Sequence, residues 1–186
     1  MTNNRSLARR ALARASLNGK LWKAGAGSGL ALAALGIGAL ALAPVASART
    51  VAQVGNSSVI ADAGVDGSVN FFWQTIGTSP WHEEQVAPTG TTTLTPSVAQ
   101  VGQSSVIAAE GPGHSLDFFW QAIGTAPWHE EQVAGPSTTF STPSVAEVGQ
   151  SSVIAAEGPG HSLDFYWQAI GTSPWHAEQA AGPGTT

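Results

Sequence analysis

From Val51 onward, apolar and polar positions follow a pattern that returns every 47 residues, with Val51, Val98 and Val145 opening its three copies. In the second copy, Ser97 to Val101 alternates apolar and polar residues and stops at Gly102-Gln103, which predicts a short strand and a turn. Ser105 to Glu110 is β-branched at its centre and runs into Gly111-Pro112-Gly113, a stretch that continues neither a helix nor a ladder. Ser115 to Gln121 is aromatic-rich and bounded by Gly124 and Pro127, and Trp128 to Ala134 makes a fourth segment closed by Gly135-Pro136. Four segments of five to seven residues between turns have the dimensions of ordinary strands. A helix is the weaker reading of the last one, because seven residues between Pro127 and Gly135 make barely two turns.

Strand alternation sends Leu116, Phe118 and Trp120 to one face and Phe119 to the other, so each predicted sheet carries aromatic bulk on both sides and needs two neighbours. From Ser97 and Ser144, 43 residues align without a gap and six differ, so these copies must fold alike. A period of this length belongs to propeller blades or helical arrays, and four antiparallel strands per period select the blade. The expected organisation is one repeat over 49–96, a second over 97–143 and a third over 144–186, with Pro88 to Pro96 and Gly135 to Pro143 as crossover loops. Propeller rings close with about four to eight blades. The fold class expected is therefore all-β, with β-propeller-type blades in a partial ring. That ring is completed by a homo-oligomer, of which a dimer with six blades is the most economical, or else the chain is a fragment of a longer propeller.

Residues 1–48 differ in composition. Arg5, Arg9, Arg10, Arg14, Lys20 and Lys23 make a basic start, Gly29 to Leu42 is an unbroken small and apolar run, and Ala46-Ser47-Ala48 has the small-residue cleavage pattern. This predicts a signal peptide with the mature start at Arg49, hence a secreted, extracellular protein with no membrane attachment after cleavage. An uncleaved anchor over Ala24 to Ala43 is the alternative, since about 20 apolar residues span a bilayer. The pair Arg9-Arg10 leaves the export route open between the general and the twin-arginine pathway. Beyond the leader, Arg49 is the single cation against twelve carboxylates, a formal charge of −11. Phosphate neutralisation needs Lys and Arg, so nucleic acid and anionic membranes are excluded as partners, and polyanionic sugars are disfavoured. Cysteine is absent, which leaves stability to packing between repeats rather than to disulfides.

The run SVAQVG, SSVIAAEG, SLDFFWQ and a Trp-containing last strand ending at Gly resembles the blades of bacterial sugar-binding β-propellers. The fucose-binding seven-bladed lectins are the nearest type, and tectonin and tachylectin repeats are looser relatives. The resemblance covers Arg49 to Thr186 and implies a carbohydrate-binding protein with glycan partners.

Each repeat holds two tryptophans. Trp73, Trp120 and Trp167 in the third strand read as core. Trp81, Trp128 and Trp175 stand at the entrance of the fourth strand, where an indole is often half covered, and offer an apolar face for a sugar ring. Beside them His82, His129 and His176 and Glu84, Glu131 and Glu178 supply donors and acceptors, so these nine residues form the candidate carbohydrate site, with a solvated outer strand as the alternative. A second group lies at the Gly-Pro turn: Glu110, His114 and Asp117, repeated as Glu157, His161 and Asp164, with turn stabilisation as the competing role. The first repeat has Ala63, Gly67 and Asn70 there.

No metal site is expected, because His-Glu-Glu lacks the spacing that puts two ligands on one face. No cofactor motif occurs. Catalysis has no nucleophile elbow and no phosphate loop to rest on, and a carboxylate pair repeated in every blade suits valency better than a single active site. The sequence thus predicts a non-catalytic multivalent glycan binder, with a structural or protein-interaction module as its rival.

Overall fold

A computed structural model of the chain describes residues 49–186, which form twelve strands. The first sheet contains β1 Thr50–Val54, β2 Ser57–Ala63, β3 Val69–Thr75 and β4 His82–Ala87. The second contains β5 Ser97–Val101, β6 Ser104–Gly111, β7 Ser115–Ala122 and β8 His129–Ala134. The third contains β9 Ser144–Val148, β10 Ser151–Gly158, β11 Ser162–Ala169 and β12 His176–Ala181. Each sheet is an antiparallel meander in chain order. The leader expected over residues 1–48 lies outside the described residues.

The expected strands recur within a residue or so of their predicted limits. Gly102 takes φ 56° in the two-residue turn between β5 and β6, a conformation that a residue with a Cβ adopts at a cost. β6 runs one residue further at each end, Ser104–Gly111, with Gly111 still in the ladder opposite Ser115, and β7 extends to Ala122; β8 begins at His129, not Trp128, and the Trp128 indole turns back onto the preceding sheet.

Alternation along each strand decides the packing. In the second sheet, Val106 pairs with Trp120 and Ala108 with Phe118 on the front face, while Ile107 pairs with Phe119 and Ala109 with Asp117 on the rear. The rear face closes against the front of the first sheet, where Ile107, Ala109 and Phe119 join Val54, Val59, Ala61 and Phe71 in one cluster. The front face closes against the third sheet, where Val101, Val106 and Phe118 join Val145, Ile154 and Tyr166. Each fully buried side chain of this size is worth roughly 1.5–3 kcal/mol, so the inter-sheet clusters are the main source of stability.

The first strands of the three sheets lie side by side, β1 against β5 and β5 against β9. Polar fittings repeat at each junction. The Gly55 N–H donates to Gln100 Oε1 (2.7 Å), and one repeat later the Gly102 N–H donates to Glu147 Oε2 (2.8 Å). Crossover loops stitch the outside, with the Phe140 N–H donating to the Glu157 carbonyl (2.8 Å) and the Glu157 N–H donating to Ser141 Oγ (3.0 Å). The rear of the first sheet and the front of the third have no covering sheet among the described residues.

Candidate functional site

A groove opens along each of the two inter-sheet junctions. The one between the second and third sheets encloses about 630 Å³ and the one between the first and second about 540 Å³. All twelve residues lining the larger groove have their counterpart 47 positions earlier lining the smaller one. The site is therefore a property of the repeat junction.

In the larger groove Val101, Val106 and Phe118 form an apolar floor, and Trp120 and Glu131 stand on one side. Ser152, Gln168 and the Ile170–Ser173 turn form the other wall. Register explains this set. Trp120 lies opposite His129 and Phe118 opposite Glu131 in the β7–β8 ladder, so all four side chains share the front face. The His129 ring stacks on the indole of Trp120 at 4.2 Å between centroids, and Trp73 with His82 and Trp167 with His176 do the same.

The expectation that the third-strand tryptophans are core is corrected here. Trp120 and Trp167 are 37% exposed, and Trp73 is half-buried, packed against the inter-sheet cluster rather than within it.

The fourth-strand tryptophans occupy a different place from the histidines and glutamates expected to join them. Trp128 meets Phe71 edge-on at 5.2 Å and Trp175 meets Phe118 at 5.1 Å, each reaching back to the preceding sheet. With the Gln121 and Gln168 amides turned so that oxygen and nitrogen each face a partner, the indole N–H groups donate to Gln121 Oε1 and Gln168 Oε1 (3.2 Å each), and the same amides donate to the Thr125 and Thr172 carbonyls (2.6 and 2.7 Å). Trp128 and Trp175 thus fasten one sheet to the next and hold the groove wall. Neighbouring residues on a strand face opposite ways, so Trp128 points to the rear while Glu131 points to the front. Trp81, which has no preceding sheet among the described residues, is exposed in a shallow hollow beside Arg49, Ile60, Asp62 and Phe72. His176 and Glu178 stand on the open front of the third sheet.

The Gly-Pro-turn group lines neither groove. The Glu110 carboxylate is buried and accepts from Thr93 Oγ1 (2.6 Å) and pairs with His114 Nδ1 (2.8 Å), while Glu157 pairs with His161 Nδ1 (2.6 Å). His114 holds φ 65° and His161 φ 63°, closing their turns in the left-handed region. Asp117 packs on Gly111 and accepts from Ser115 Oγ (3.4 Å), and Asp164 accepts from Ser162 Oγ (3.0 Å). Burial pushes the Asp117 carboxyl above its ordinary range, with the nearby Glu130 charge adding to the rise. In the first repeat Asp66 closes the corresponding turn, and the Ser68 and Thr89 donors hold its carboxyl down to about 2. Side chains in this group stabilise turns and crossover loops.

Among the described residues no cluster of three His, Asp or Glu side chains is placed to hold a metal ion. Arg49, the single Lys or Arg among the described residues, donates from Nε to Asp62 Oδ2 (2.8 Å) and stands apart from both grooves. Ser104, Gln121, Gln168, Ile170 and Thr172 are groove residues that the sequence analysis did not single out. Their recurrence in every copy was the available signal.

Comparison of the coordinates with solved structures finds the BP39L lectin from Burkholderia pseudomallei, with a TM-score of 0.61 and 14% sequence identity. AofleA from Arthrobotrys oligospora matches with a TM-score of 0.55 at 14% identity, and an arginine-to-alanine variant of it matches with 0.57 at 15%. The three sheets are β-propeller blades. Those matches cover 73–74% of this chain but only 40–42% of the chains matched, so the blades here span about two fifths of those lengths. No protein-family model matches the chain, and no curated protein matches it. In blade terms the grooves lie between blades 1 and 2 and between blades 2 and 3, and the tryptophans that line them come from the third strand of the leading blade.

Proposed function

We propose that this chain is a secreted, non-catalytic lectin that binds neutral sugars in its inter-blade grooves, several weak sites acting together. The observation that carries the reading is the duplication of one groove chemistry: an accessible indole beside a carboxylate, a glutamine and hydroxyls, over an apolar floor. A pyranose has an apolar C–H face and a rim of hydroxyls. The indole of Trp120 takes the face, and the Glu131 carboxylate accepts from the hydroxyls. Both groove volumes lie within the range of roughly 300–1,000 Å³ typical of small-ligand sites. Neither groove contains a cation, which favours neutral over anionic sugars. The fold shared with a lectin structure agrees with this reading, and the basic, apolar, Ala-Ser-Ala leader agrees with secretion. Repeated weak sites on one glycan surface raise overall avidity by roughly 10²–10⁴ without new contacts.

The exposed outer faces of blades 1 and 3 favour a second reading, an extracellular protein-interaction module. Retention on immobilised neutral sugars separates the two. Wild type is expected to be retained, Trp73→Ala and Trp120→Ala each to lose one site, and the double variant to elute in the void. Failure of the wild type to be retained, or full retention of the folded double variant, removes the lectin reading.

A further inference from the structure

One wall of each groove carries a hydroxyl that the fold itself leaves unused. Ser105 pairs with Gln121 in the β6–β7 ladder and Ser152 with Gln168 in the β10–β11 ladder, so each serine faces the preceding blade together with its glutamine. Both serines are 4% exposed, and two residues on along the same strand face Ile107 and Ile154 are fully buried. An alanine or a valine would suit such a position. A buried hydroxyl ordinarily finds a hydrogen-bond partner within the protein. Among the described residues neither Ser105 Oγ nor Ser152 Oγ has one, and each opens onto its groove.

Other polar groups of that wall are already engaged. Thr125 Oγ1 donates to the Ala122 carbonyl and Thr172 Oγ1 to the Ala169 carbonyl (2.7 Å each). Gln121 is held between the Trp128 indole and the Thr125 carbonyl, and Gln168 between the Trp175 indole and the Thr172 carbonyl. On the facing side stand Trp73 with Glu84 in one groove and Trp120 with Glu131 in the other. A carboxylate only accepts. A sugar lying on the indole donates its hydroxyls to that carboxylate, and the oxygens along its other edge then need a donor, which the unengaged serine hydroxyl supplies.

We propose that Ser105 and Ser152 are the specificity residues of the two grooves. Each hydroxyl bonds a hydroxyl on the edge of the pyranose that faces its wall, so the grooves take neutral sugars that carry this group and discriminate against the matching deoxy sugar. The proposal rests on the inter-blade grooves being the sugar sites. It has a signature that a structural hydroxyl lacks, because the serines serve the ligand and not the fold. Replacing them with alanine removes a polar group that the folded chain leaves without a partner, so binding weakens while stability holds.

Titration calorimetry of the full chain with a panel of methyl glycosides of neutral hexoses, pentoses and deoxyhexoses, followed by the single-position deoxy analogues of the glycoside bound best, tests this. One analogue is expected to bind the wild type about threefold to tenfold more weakly than its parent glycoside, the worth of one neutral hydrogen bond. The double variant Ser105→Ala, Ser152→Ala is expected to bind the parent glycoside more weakly by the same factor and to treat the two sugars alike, as a closed cycle of protein and sugar hydroxyls requires. Each single variant changes one of the two grooves. Without sugar, the double variant is expected to melt no lower than the wild type. Unchanged affinity in the double variant, or a deoxy difference that survives in it, overturns the serine assignment and leaves the lectin reading standing. A melting temperature more than about 4 °C below the wild type gives the hydroxyls a structural role and overturns it as well. A wild type that binds none of the glycosides sinks the lectin reading, and the serine assignment with it.

Discussion

Trp128 and Trp120, eight residues apart in one blade, are expected to fail in opposite ways when replaced by alanine. Trp128 is half-buried between blades 1 and 2, edge-on to Phe71 at 5.2 Å, with its N–H on Gln121. A fully buried aromatic replaced by alanine costs about 3–5 kcal/mol, so half burial implies about 2 kcal/mol of lost packing. Losing the aromatic pair adds about 1 kcal/mol, and leaving Gln121 without its donor adds about another. The total is roughly 3–4 kcal/mol, which for a domain of roughly 150 residues lowers the melting temperature by roughly 10 °C. Trp120, by contrast, stacks only on an exposed histidine and keeps more than a third of its surface in the groove. Its replacement is expected to cost about 1 kcal/mol of stability and to abolish the groove between blades 2 and 3 as a binding site. Scanning calorimetry with sugar titration on both variants measures the two effects together. The assignment of fastening to Trp128 and recognition to Trp120 is refuted if Trp128→Ala melts within about 2 °C of the parent, or if Trp120→Ala is the less stable of the two.

The raised carboxyl of Asp117 has a definite sign in a pH titration. A buried acid with an elevated folded-state value binds its proton more readily when folded, so stability is greatest below the unfolded value and falls as pH rises through the folded one. Asp117→Asn removes this loss, and its melting temperature relative to the parent is expected to be higher near pH 7 than near pH 4; an equal difference at both rules out the burial argument. A Cβ at Gly111 overlaps Asp117 Oδ2 and Ser115 Oγ, whereas a Cβ at Gly135 meets nothing within 4 Å. Gly111→Ala is therefore expected to destabilise by about 1–3 kcal/mol in chemical denaturation, with Gly135→Ala close to neutral; equal midpoints contradict the close packing of that carboxylate.

Much of the blade was legible in the chain itself. Gly102, Gly111, Pro112 and Pro127 punctuate four apolar segments at strand length, and the structure places β5 to β8 between them. The candidate site was less legible, because a strand's alternation says which residues share a face but not which face meets a neighbour. Trp128, His129 and Glu131 are close in sequence and look like one cluster. In the fold the first reaches back to Phe71 while the other two stand with Trp120 and Phe118 on the opposite face. Gln121 and Ile170, unremarkable in sequence, become groove walls only because one blade leans on the next.

The sequence by itself determined the strand, the turn and the repeat, since these follow from periodicity, β-branching and glycine or proline placement over spans of a few residues. It also determined the chemistry on offer, many indoles and carboxylates and almost no cations. Only the tertiary structure decided which indole is mortar and which is surface. Burial depends on contacts between residues far apart in sequence, such as Phe71 with Trp128 and Phe118 with Trp175, each pair 57 positions apart, and no local pattern encodes that distance.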